Sequence, residues 1–79
     1  MNMANSKKPI HTVPDGNGGW ANKREGVKTP ISSAGTKAEA VAIGREQAKK
    51  DGTEHVIHNK NGQISQKNSY GNDKFPPRG

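Results

Sequence analysis

The side chains with the widest chemical scope in this chain are its three histidines, His11, His55 and His58. Imidazole can ligate a metal or move a proton near neutral pH. His55 and His58 stand three apart in a segment that reads as a strand, so they point to opposite faces of it and cannot chelate one ion together. His11 could join one of them across a sheet, but two ligands without a carboxylate fall short of a metal site. With no Cys, there is no thiolate ligand, no thiol nucleophile and no disulfide. No Ser sits in a nucleophile-elbow motif, and the carboxylates are scattered along the helix and in turns. Gly16-x-Gly18-x-x-Ala21 formally matches a dinucleotide fingerprint, yet it leads into a strand, where a phosphate cradle needs a helix N-terminus. The expectation is a protein that is not an enzyme and holds no cofactor or metal.

The basic residues point elsewhere. The chain carries a net charge of +6 and a pI near 9.9. Residues 1–35 hold a net +3, residues 36–62 a net +1 and residues 63–79 a net +2. The helix segment is thus nearly balanced, which argues against a recognition helix in a major groove. The excess lies on flanking strands, loops and tails, in Lys23, Arg24, Lys28, Lys60 and Lys67. A basic sheet with an aromatic on it suits phosphate contacts and base stacking. Trp20, however, is the sole Trp in a chain short of large side chains, and so it reads as core. A basic surface also fits mere solvation.

The elements that position these residues are legible. Thr36-Lys37-Ala38-Glu39 is a capping box, and Gly52 after Lys49-Lys50-Asp51 is a helix stop. Between them Ala40, Gly44 and Ala48 recur at spacing four, giving a thin helix face that lets the axis sit close to a sheet. Gly44 costs about 1 kcal/mol of helix propensity relative to Ala, so close packing is the expected reason for it. Glu46 and Lys50 can pair on the outer side. Ile10 to Val13 reads as a strand, Asp15 to Gly19 as a loop, and Trp20 to Glu25 as a second strand ended by Gly26. Val27 to Ser33 stays ambiguous because Pro30 confines it to an edge or a bulge. Thr53 to His58 and Gln63 onward are strands around an Asn61-Gly62 turn.

The 79 residues allow one small domain, and only 27% are apolar. Mean hydropathy is -1.11, and low hydropathy with net charge disfavours burial. The candidate large core residues are Ile10, Val13, Trp20, Val27, Ile31, Val41, Ile43, Val56, Ile57 and Ile64. Marginal stability follows, and a homodimer would relieve the shortage of core. No stretch approaches a membrane span and no signal peptide is visible, so a cytoplasmic protein is expected.

Several pieces occur in a distinctive order. They are Gly19-Trp20, Lys23 to Gly26, Thr36 to Ala40, Val56 to His58, Asn61 to Ile64, and the close Ser69 to Gly79 with Tyr70-Gly71-Asn72-Asp73 and Phe75-Pro76-Pro77. From about Ile10 to Gly79 the chain resembles the small, mostly bacterial family catalogued as domain of unknown function 2188. The resemblance implies a compact α+β domain in a bacterial cytoplasm, with no established activity and no catalytic residues to transfer. Similar sequences tend to carry Ala where Gly44 stands, a departure that predicts a less stable helix.

The reading is therefore a small antiparallel sheet packed on one face by a single helix, in the order β-β-(β)-α-β-β. Residues 1–8 are expected as a disordered tail, 9–68 as the domain, and 69–79 as an extended tail whose Phe75 docks on the domain or on a partner. The open sheet face is the expected binding surface. It would contact DNA or RNA nonspecifically through Lys23, Arg24, Lys28, Lys60 and Lys67, or alternatively serve protein interaction or homodimerisation.

Overall fold

The computed structural model describes residues 8–70. The elements are β1 (Ile10–Pro14), β2 (Trp20–Arg24), β3 (Pro30–Ala34), α1 (Lys37–Asp51), β4 (Glu54–His58) and β5 (Ile64–Ser69). They form one five-stranded sheet in the order β3-β2-β1-β4-β5, with α1 lying across β1 to β4. This is the α+β architecture expected from the sequence. The expected tails, Phe75 included, lie outside the described residues, apart from Lys8, Ser69 and Tyr70. Ser69 closes β5, and the Tyr70 N–H donates to the Thr53 carbonyl at 3.2 Å, so the sheet's hydrogen bonding runs into the segment expected as tail.

The local signals act as written. The Thr36 hydroxyl accepts from the Glu39 N–H at 3.2 Å, and Gly52 closes the helix at φ 64° with its N–H on Ala48 and Lys49 carbonyls. Asp15 Oδ1 takes the N–H groups of Asn17 and Gly19, which folds the β1–β2 loop as an Asx turn. Glu46 pairs with Lys49 at 3.9 Å rather than with Lys50.

One pairing corrects the expected all-antiparallel sheet. β1 pairs antiparallel with β2, but parallel with β4. The reason lies in the crossover. β3 runs parallel to β1, and α1 returns the chain to the end from which β1 and β3 start. The next strand therefore runs with β1 and enters beside it, which a hairpin cannot do.

The core also differs from the sequence reading. Ile10, Trp20, Val56 and Ile57 are buried, as expected, but Val27, Ile31, Ile43 and Ile64 are 42–60% exposed. The space under the helix is filled by Thr12, Asn22 and His55, all at most 1% exposed. The Thr12 hydroxyl donates to Asn22 Oδ1 at 2.5 Å, and Asn22 Nδ2 donates to Ser32 Oγ at 3.1 Å and to the Ala40 carbonyl at 2.9 Å. Gly44 is pressed onto this group. A Cβ there would overlap Asn22 Oδ1 and come within 2.7 Å of His55 Nε2. The thin helix face of Ala40, Gly44 and Ala48 is thus the mould of a polar core, and all three are buried.

Candidate functional site

Strand alternation divides the side chains between two faces. Thr12, Asn22, Arg24 and His55 lie on the face under α1, as their contacts with one another and with the helix establish. His11, Lys23, Val56, His58 and Lys67 lie on the face α1 leaves open.

On that open face the registers line up in one row. Lys23 sits opposite His11, His11 opposite Val56, and Val56 opposite Lys67. Three strand spacings separate the two lysines, about 14 Å. Lys67 stands 3.4 Å from Glu54 Oε1 with its side chain 59% exposed, a surface pair of small energy. Lys28 and Lys60 are exposed in the β2–β3 loop and the β4–β5 hairpin, which the strand directions place at opposite ends of the sheet.

Arg24 is the exception among the expected phosphate contacts. Its Nη2 donates to Asp51 Oδ2 at 2.7 Å and its Nη1 to the Lys8 carbonyl at 3.0 Å. It faces the helix, where it clamps the end of α1, and is not part of the open face. The cause is parity: Lys23 and Arg24 are neighbours on one strand, so only one of them can face each way. Trp20 is 7% exposed under α1, with Lys37 Nζ 5.3 Å from its ring centroid. It is core, as expected, and gives no stacking platform.

The sequence allowed His11 to meet either His55 or His58 across the sheet, and the structure makes it His58. His11 Nδ1 and His58 Nε2 are 2.9 Å apart. The outer nitrogen of His11 meets Glu25 Oε1 at 3.0 Å, and that of His58 meets the Gly62 carbonyl at 3.0 Å. Glu25 follows β2 directly, with its N–H on the Pro9 carbonyl, which sets its carboxylate beside His11. Gly62, at φ 92°, makes the tight turn that aims its carbonyl back at His58. The alternation that separates His55 from His58 was legible. The parallel β1–β4 pairing that joins His58 to His11 was not. Among the described residues no group of three or more His, Cys, Asp or Glu gathers as metal ligands.

His55 has a different fate on the other face. Thr12 spends its proton on Asn22, so His55 Nε2 must donate to Thr12 Oγ1, 2.7 Å away. Its Nδ1 is buried without a partner. Burial holds the imidazole below its ordinary value of 6.5, and the Arg45 charge and His11 add to the effect. His55 is a neutral core residue.

No helix among the described residues is long and apolar enough to cross a membrane. Comparison with curated proteins and with solved structures returned no match. One family model matches, over residues 10–70, and it spans every element described above, so the chain belongs to the family of uncharacterised proteins conserved in bacteria, DUF2188.

Proposed function

We propose that this chain is a small non-enzymatic binding module that contacts nucleic-acid phosphates through the sheet face opposite α1. The observation that supports this best is the row Lys23–His11–Val56–Lys67 across four strands, on a face that no other described element covers, although Val56 itself is buried. Lys28 and Lys60 extend the positive charge beyond both ends of the strands. Arg24 has no part in the contact, because it is engaged with Asp51. Buried Trp20 offers no stacking platform, so the contact from this face is electrostatic and indifferent to sequence.

The test is fluorescence anisotropy with short duplex DNA and with RNA across a range of salt. On duplex DNA, log affinity falls against log salt by about 0.9 per phosphate neutralised. Four lysines set the upper bound on that slope from this face. Affinity that ignores salt, or no binding at low salt, would sink the reading.

A second reading is favoured by one observation. Val27, Ile31 and Ile64 are 49%, 42% and 60% exposed, much apolar area for a chain with so little. In this reading the face pairs with a copy of itself or with another protein. Sedimentation that depends on concentration, without any response to nucleic acid, would select it.

A further inference from the structure

The two imidazoles on the open face pose a problem of hydrogen counting. Three contacts run through them in a chain. His11 Nε2 meets Glu25 Oε1 at 3.0 Å, His11 Nδ1 meets His58 Nε2 at 2.9 Å, and His58 Nδ1 meets the Gly62 carbonyl at 3.0 Å. The carboxylate and the carbonyl only accept hydrogen bonds. Each of the three contacts therefore needs one hydrogen from a ring. Two neutral imidazoles carry only two between them. The full set closes with a third, so the geometry is that of a pair holding one extra proton.

The outer partners decide which ring holds it. The Gly62 carbonyl keeps a hydrogen on His58 Nδ1 and leaves His58 Nε2 as an acceptor. His11 must then donate from both nitrogens, so His11 is the imidazolium, with its charge against the Glu25 carboxylate. When the proton leaves, one contact has to open. The Gly62 carbonyl is fixed by its turn, whose N–H bonds the Asn59 carbonyl at 2.9 Å. The two rings are held by paired strands. Glu25, with its side chain 57% exposed, can turn into water, so it is the group released. Solvent reaches the pair, since the His11 side chain is 23% exposed in a surface groove of about 270 Å³. Of the other charges around it, Lys23 stands opposite His11 on β2 and opposes the proton. Arg24 lines the same groove, but its guanidinium is held by Asp51. Lys67 of β5 and Glu54 of β4 pair with each other. Lys28 and Lys60 are exposed in their loops, and His55 is neutral on the other face, under α1.

We propose that Glu25, His11, His58 and the Gly62 carbonyl form a proton-operated clasp across the open face, closed when His11 is protonated and opened at Glu25 when it is not. The clasp ties the segment after β2 to β1, to β4 and to the β4–β5 turn, and so joins the two loops that carry Lys28 and Lys60. Imidazole changes charge between about pH 5 and 8. Closed, the His11–Glu25 pair is neutral as a unit. Open, it leaves the carboxylate charge alone, so the face is one charge more positive at the lower pH. An exposed contact of this kind weighs little on overall stability. What the proton sets is the position of Glu25 and the charge of the face.

The experiment is a long-range ¹H–¹⁵N NMR titration of the full chain from about pH 8 to 5, which reads the hydrogen on each ring nitrogen. On the acid side His11 is expected to carry hydrogen on both nitrogens while His58 still carries it on Nδ1 alone. On the basic side His11 is expected to keep hydrogen on Nδ1, and the Glu25 carboxyl ¹³C signal to move at the same midpoint. H58A removes the inner acceptor, so its neutral His11 is expected to shift the hydrogen to Nε2, where Glu25 accepts it. E25Q is expected to lower the proton affinity of His11 several-fold, with the amide spectrum otherwise retained. A neutral His11 that carries its hydrogen on Nε2 in the native chain would overturn the proposal. So would a His58 that takes its second proton before His11 does, or an E25Q titration that matches the native one.

Discussion

The two faces of the sheet treat the same residue type in opposite ways. Under α1, His55 is sealed in a network running through Thr12 and Asn22 to the Ala40 carbonyl, with its Nδ1 buried and without a partner. On the open face, His11 and His58 have their outer nitrogens satisfied and their inner ones aimed at each other. The inner face spends polar groups to hold the fold. The outer face partners both nitrogens of each imidazole, at a surface that solvent reaches. A chain with few large apolar residues builds its core from hydrogen bonds, and it keeps its open chemistry on the side away from that core.

The largest effect should come from breaking the closed face. Asn22→Ala leaves the Thr12 hydroxyl and the Ala40 carbonyl without their partner and opens a cavity, at a cost of about 3 kcal/mol. Denaturant unfolding measures it, and a loss below 1 kcal/mol would mean that the network is not the centre of the core. Gly44→Ala comes next. Overpacking against Asn22 and His55 costs about 1–3 kcal/mol, offset by about 1 kcal/mol of helix propensity, so a net destabilisation of about 0–2 kcal/mol is expected. The double variant should cost less than the sum, because Asn22→Ala removes the atom the new methyl strikes. Strict additivity would show that the crowding at Gly44 is relieved in some other way.

Stability should also respond to acid. The pKa of His55 is lowered in the fold, so below its unfolded value of about 6.5 the unfolded chain binds a proton the folded chain refuses. Stability is therefore unaffected by this group above that value. It declines as pH falls from there towards the folded pKa, by at most about 1.4 kcal/mol per unit. Thermal unfolding from pH 7.5 to 5 tests the slope, which should vanish in a variant that replaces His55 and still folds.

The smallest stability effect belongs to the open face. Lys23→Gln with Lys67→Gln should change stability by under about 1 kcal/mol, since exposed charges and surface pairs contribute little. The same variant should flatten the salt dependence of duplex binding by about two phosphate contacts. A large loss of stability with an unchanged slope would reverse the roles assigned to the two faces.

How much could be read in advance depended on distance along the chain. Thr36, Gly52 and Gly62 act within a few residues of themselves, and each did what its type required. Gly44 was legible as a point of close approach, but not what it approached, because Asn22 and His55 come from strands 22 residues before it and 11 after. Arg24 looked like a partner of Lys23 on the basic face until strand parity turned it under the helix to Asp51. Apolar type alone marks Ile43 and Ile64 as core candidates, but both are exposed, because type does not say which face a residue will occupy.

The sequence by itself determined the elements other than β3, the helix caps and the turns, because those obey backbone and hydrogen-bond rules that operate over three or four residues. The tertiary structure alone decided that β4 inserts beside β1 in parallel. That pairing depends on a crossover through α1 and on the burial of a polar network assembled from three strands, and no local pattern encodes it. From it follow both the sealed His55 and the meeting of His11 with His58.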